Sequence, residues 1–197
     1  MNTTPSDAQD QADMARLVNG HGTALDALME RHGEPLYHYL IRLLQNEDEA
    51  EDLAQETFVR VYQNCARFKA GSKFSTWLYT IATNRARDHF RRHSRHKEVS
   101  LDGKEEGDES GLKNILPGGD LNPSQSLEAD ERAQAVRRAV ADLPEDLRVP
   151  LTLAEFQEQS QAEIAVVLNC STKAVEMRLY RARQQLRQRL VKWLEKI

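Results

Sequence analysis

The chain has 197 residues and carries 27 Lys+Arg against 31 Asp+Glu, for a formal net charge of −4 and a pI near 5.9. With 40% hydrophobic and 6% aromatic residues, that length suits two compact helical units better than one large core. No window approaches the roughly 18–20 apolar residues of a membrane span. Cys65 and Cys170 stand too far apart for metal-ligand spacing or a disulfide framework and fit a reducing cytoplasm.

Residues 1–11 are polar and acidic and read as a disordered leader, with no basic start or apolar run to mark a signal peptide. From residue 12 to residue 97 the pattern is helical, with apolar residues three and four apart at Leu25, Leu28, Met29, Leu36, Tyr39, Leu40 and Leu43. Gly33 and Pro35 mark a break between helices.

The next predicted helix starts with Glu47, Asp48 and Glu49, charges that suit the positive end of a helix dipole. Its spacing places Ala50, Leu53, Ala54, Thr57, Phe58 and Val61 on a core face. The opposite face carries Asp52, Gln55, Glu56, Val59 and Gln63. That row is a solvated surface or a protein-docking face.

A short Gly-containing loop over 68–73 leads into a helix from Phe74, with Ser75 or Thr76 as the expected N-cap. Leu78, Ile81 and Ala82 face inward. Trp77, Thr80, Asn84, Arg87, Asp88 and Arg91 lie along an outer face, and Arg92, Arg95 and Lys97 extend its charge. Aromatic rings beside guanidinium groups suit unpaired bases and phosphates. Phe74 is equally well a core ring. His89 and His93 have the spacing of a metal pair. Arginines surround them, however, and no carboxylate or Cys is positioned nearby in sequence to complete the shell, so no metal and no cofactor are expected.

Residues 98–126 form an acidic, Gly- and Pro-rich flexible linker. Helical periodicity resumes at residue 127 and continues to 197, broken at Leu143-Pro144 and around 169–171. Ser160-Gln-Ala-Glu163 is a capping box. Asn169-Cys170 makes a turn, and Ser171 or Thr172 caps a second helix whose outer face carries Thr172, Lys173, Glu176, Met177, Tyr180 and Arg181. This is a helix-turn-helix layout, whose second helix reads the major groove. The fold class is therefore all-α: an N-terminal helical bundle and a C-terminal four-helix domain.

The charge is segregated along this plan. Residues 67–97 hold nine Lys+Arg against one acid, and 132–197 hold twelve against eight. Residues 45–66 hold one against six, and 98–131 two against ten. Two basic blocks outweighed by acidic ones are compatible with both a nucleic-acid and a protein partner.

Taken in order, the motifs resemble the extracytoplasmic-function sigma factors of bacterial RNA polymerase. DEAEDLAQETF from Asp48 to Phe58 is similar to that family's polymerase-binding helix. FSTWLYTIATNRARD from Phe74 to Asp88 is similar to its promoter-melting, minus-ten-reading segment. LPEDLR from Leu143 resembles the approach to its second domain. Glu163-Ile-Ala-x-x-Leu followed by 171–187 resembles its minus-thirty-five helix-turn-helix.

The resemblance implies that Asp48, Asp52, Gln55, Glu56 and Val59 dock on the clamp helices of the largest polymerase subunit, with the second domain on the flap. It implies that Phe68, Lys73, Phe74, Trp77, Asn84, Arg87, Asp88 and Arg91 meet melted minus-ten DNA, the loop 68–74 accepting a flipped base. It implies that Thr172, Lys173, Glu176, Met177, Arg178, Tyr180, Arg181 and Arg183 meet double-stranded minus-thirty-five DNA. The linker corresponds to a segment threading toward the RNA exit path. An anti-sigma partner, a free monomer, a cytoplasmic location, no membrane insertion and no catalytic site complete the expectation.

Glu176-Met177 departs from the family's usual basic residue followed by Ser, and Glu accepts from cytosine N4, so base preference differs here. A single Trp in the melting segment implies dependence on a well-matched promoter. Two other classes share features with this reading. An independent helix-turn-helix regulator predicts a dimer and a palindromic operator. A decoy predicts polymerase binding without transcription.

Overall fold

The computed structural model describes residues 5–99 and 123–194, with side chains over 7–93 and 131–191. These residues form eight α-helices and one short 3-10 turn. The N-terminal group is α1 (Pro5–Val18), α2 (Thr23–Leu44), α3 (Glu47–Gln63), the turn Cys65–Arg67 and α4 (Phe74–Val99). The C-terminal group is α5 (Pro123–Ala141), α6 (Glu145–Glu155), α7 (Gln161–Leu168) and α8 (Thr172–Leu194). The linker 98–126 lies outside the described residues except at its ends, which continue α4 and begin α5.

Three expectations are corrected. Residues 5–11 are not a disordered leader but the first turns of α1. Asp10 is buried there, holding Arg31 Nε at 2.9 Å and His32 Nε2 at 2.8 Å, while Asp13 takes Arg31 Nη2 at 2.6 Å. Burial alone would raise the Asp10 pKa. The hydrogen bonds and charges of His32 and Arg31 outweigh it and hold the carboxyl below its ordinary value.

The second correction is that Gly33 and Pro35 do not break α2. Proline lacks the N–H that would bond back one turn, a cost of about 3 kcal/mol. The buried stripe Leu28, Leu36, Tyr39, Leu40 and Leu43 carries the helix across. Third, the N-cap of α4 is not Ser75 or Thr76. The helix begins at Phe74, and the Lys73 carbonyl accepts the Trp77 N–H at 3.3 Å.

The core face read for α3 is the buried one, residue for residue. Asn46 caps the helix by accepting the Glu49 N–H at 3.0 Å. In the C-terminal group the Ser160–Glu163 capping box forms, Asn169 closes α7 in the left-handed conformation (φ +49°), and Ser171 accepts the Ala174 N–H at 3.2 Å.

The all-α fold with two helical groups is the one expected, and the two groups pack against each other. One contiguous buried cluster runs from Met14 in α1 to Ala182 in α8. It is continuous because α4 packs against α7 and α2 against α6.

Candidate polymerase- and promoter-binding surfaces

The outer row of α3 forms the first surface. Asp52, Gln55 and Val59 are exposed, with Val59 at 51%. Glu56 differs, because its carboxylate takes a short hydrogen bond from Arg85 of α4 and lies 3.7 Å from Arg60. Arg85, the first of these, pulls the Glu56 pKa below its ordinary value. Glu56 therefore ties α3 to α4 as well as facing outward.

The second surface is the loop 68–73 with the start of α4. Gly71 sits at φ +82°, which only a residue without Cβ adopts freely. Phe68, Phe74 and Trp77 form a ring cluster with centroids 5.3–6.3 Å apart. Phe74 is fully buried there, and His32 packs on its ring at 4.9 Å. In the free chain Phe74 is a core residue that shapes the loop from beneath.

The remaining α4 face is covered by the segment joining α6 to α7. The Thr76 hydroxyl donates to Gln159 Oε1 at 3.3 Å, and the Tyr79 hydroxyl donates to Gln157 Oε1. Burial pushes the Tyr79 hydroxyl pKa upward, keeping it a neutral donor. The Gln159 amide folds back to the Gln157 carbonyl at 3.0 Å. Lys73 lies 3.1 Å from Glu163, and Arg87 lies 3.4 Å from Glu145. Two cation–ring contacts flank the seam: Arg42 over Phe156 at 4.3 Å and Arg148 over Phe90 at 5.6 Å. Asn84 and Arg91 remain exposed, while Asp88 is drawn into ion pairs with Arg85 and Arg91.

The third surface is the N-terminal half of α8. Val175 and Leu179 are buried, and Thr172, Lys173, Glu176, Met177, Tyr180 and Arg181 are exposed. Met177 and Tyr180 expose 43% and 63%. Lys173 and Glu176 lie 3.6 Å apart on this face. Arg178 is half-buried and its guanidinium lies 3.7 Å from Cys170 Sγ, so it leaves the open face. Arg183 donates twice to one Glu155 oxygen, at 3.1 and 2.7 Å.

Comparison with known proteins places this architecture. The family described as Sigma-70 region 2 matches residues 28–96, and Sigma-70 region 4 matches residues 133–186. The RNA polymerase sigma-H factor of Pseudomonas aeruginosa is 34% identical over 183 residues, covering 90% of this chain and 92% of the relative. The ECF RNA polymerase sigma factor SigW of Bacillus subtilis is 34% identical over 178 residues, covering 89% and 93%. The chain belongs to the extracytoplasmic-function sigma factors of bacterial RNA polymerase. Among solved structures, CnrH in complex with the cytosolic domain of CnrY superposes with a TM-score of 0.66 at 26% identity, covering 93% of this chain and 98% of that one.

Three residues of this sigma factor escape sequence reading. Gln11, in the expected leader, brackets the loop: its Oε1 accepts the Gly71 N–H at 3.1 Å, and its Nε2 donates to the Ser72 carbonyl. Gln157 and Gln159 cover α4. A lone amide in a polar stretch gives no periodic signal, so none of the three stands out from solvated neighbours. The alternating spacing of Gln157 and Gln159 after the α6 pattern ends is the one trace they leave.

Proposed function

We propose that this sigma factor docks on core RNA polymerase through Asp48, Asp52, Gln55, Glu56 and Val59, facing the clamp helices of the largest subunit, with its C-terminal group on the flap. Phe68, Lys73, Trp77, Asn84, Arg87, Asp88 and Arg91 then meet the melted minus-ten strand, with Phe74 as the packed floor of the loop. Thr172, Lys173, Glu176, Met177, Tyr180 and Arg181 meet the minus-thirty-five duplex, and Arg178 and Arg183 join them once they leave Cys170 and Glu155. It is a binding protein without chemistry of its own, monomeric when free, and works in the cytoplasm. No described helix is long and apolar enough to cross a membrane.

The observation that carries this reading is the cover on α4. Lys73 and Arg87, two cations for melted DNA, are matched in the free chain by Glu163 and Glu145. Those carboxylates stand where phosphates would. The free chain therefore holds its minus-ten surface closed, and docking on polymerase separates the two groups. A negative total charge fits a factor that meets DNA only with its protein partner. The complex of the neighbour CnrH with the cytosolic domain of CnrY supports a protein partner of this kind, an anti-sigma factor, here.

Run-off transcription with core polymerase on a promoter library tests the assignment. Promoter-specific transcripts are the expected result. Polymerase binding without transcripts would establish the decoy, and tight palindrome binding by a free dimer would establish the independent regulator.

A further inference from the structure

The fold supplies the third ligand that the histidine pair lacks in sequence. His89 and His93 sit one turn apart on α4, with rings stacked at 5.6 Å and 27°. Glu49, forty residues earlier at the start of α3, brings Oε1 to 3.3 Å from His89 Nε2. One donor atom from each of the three residues lies within 4.8 Å of the others. We propose that Glu49, His89 and His93 bind a borderline divalent transition-metal ion, with Zn2+ the member that fits best.

The donor set selects the metal. Two imidazole nitrogens and one carboxylate oxygen suit Zn2+ and its transition-metal neighbours, whereas Mg2+ and Ca2+ take oxygen shells. Tetrahedral Zn2+ with bonds of about 2.0–2.1 Å needs donors about 3.3 Å apart. The Glu49–His89 pair already has that separation. His93 is exposed and Glu49 only half-buried, so both have room to close the rest. Three protein ligands leave the fourth position to water.

The surrounding charge permits a dication. Residues 47–52 of α3 carry five carboxylates and no cation. On the α4 side Arg91 is held by Asp88 and Arg85 by Glu56, and the Arg92 charge acts on Glu56. Of the cations that argue against a metal in the sequence, Arg91 is thus paired in the fold and Arg92 acts on a carboxylate. Arg95 and Lys97 have side chains outside the described residues. A bound ion pins the start of the docking helix to the far half of the DNA helix and reduces the negative charge beside Asp48 and Asp52.

The test uses the full-length, tag-free chain after chelator treatment. Calorimetric titration with Zn2+ should give one ion per chain, and Tm should rise by several degrees under excess Zn2+ but not under Mg2+. Co2+ should give the visible absorption of a low-symmetry site without thiolate charge transfer. The imidazole proton resonances of His89 and His93 should move on Zn2+ addition while that of His21 stays. His93→Gln, at an exposed position, and Glu49→Gln, which keeps the side-chain size, should each weaken binding by on the order of 10–100-fold. Absence of saturable Zn2+ uptake would overturn the proposal. So would uptake unchanged in both variants, because the ion would then sit on other ligands.

Discussion

The two basic helices of this sigma factor carry the same kind of surface and keep it in opposite states. The face of α4 is partly covered by Gln157, Gln159, Glu145 and Glu163 from the C-terminal group, with Asn84 and Arg91 left exposed. The outer face of α8 stands open, with Tyr180 and Met177 in water. Charge and periodicity do not distinguish them, because both helices are amphipathic and cationic. The difference lies in what packs against each. Under the proposed function, the α4 surface would be partly masked in the free chain and the α8 surface open.

The largest effect should come from the floor of the closed surface. Phe74→Ala should cost about 3–5 kcal/mol in urea unfolding, because the ring is wholly buried. The matching change on the open surface, Tyr180→Ala, should move stability by less than about 0.5 kcal/mol while weakening minus-thirty-five duplex binding by the holoenzyme. Equal losses would erase the contrast.

Next in size, Asp10→Asn should destabilise the N-terminal group by about 2 kcal/mol, since His32 loses the buried carboxylate and Arg31 is left with Asp13 alone. Calorimetry should show the deficit at neutral pH and its shrinkage in acid. The Asp10 pKa is lowered by folding, so its contribution is complete above the ordinary carboxylate value. It disappears as pH falls through the lowered one.

Opening the cover should be milder. The double change Gln157→Ala and Gln159→Ala removes two hydrogen bonds, each worth about 1 kcal/mol net. Amide exchange in the first half of α4 should quicken about tenfold, and free protein should gain affinity for single-stranded minus-ten DNA. Exchange in α8 should stay unchanged. A parallel rise in α8 would mean that the variant unfolds rather than opens.

The smallest effect should follow Gln11→Ala. It should leave Tm within about 2 °C yet speed exchange of the Gly71 amide, whose acceptor it removes. An unaltered Gly71 amide would remove Gln11 from the loop.

Glu56→Lys would be a blunt test of the proposed docking row. That change places a cation against Arg85 and Arg60, so a loss of polymerase affinity would mix docking with damage to the α3–α4 contact. Asp52→Lys and Val59→Asp alter exposed groups only and read docking alone.

How much of this is visible in the sequence depends on the range of the interaction. The α3 core face, the capping box and the turn at Asn169 depend on neighbours within about one helical turn, and residue spacing reveals them. Pro35 reads as a break because its local cost is visible and the tertiary burial that offsets it is not. The start at residue 5 is missed for the same reason, since Asp10 looks solvated until Arg31 and His32 stand opposite. Glu49 completes the histidine pair only once α3 lies beside α4. Periodicity identifies a face but not the group that covers it.

Glu163 divides its carboxylate between two partners. Its Oε2 accepts the Ser160 N–H at 2.7 Å and starts α7, while Oε1 holds Lys73 at 3.1 Å. The two oxygens serve separate duties. When Lys73 departs for a phosphate, the cap keeps its own oxygen and α7 keeps its first turn. The helix start and the inter-group ion pair are therefore separable: losing Lys73 costs the pair and leaves the cap in place.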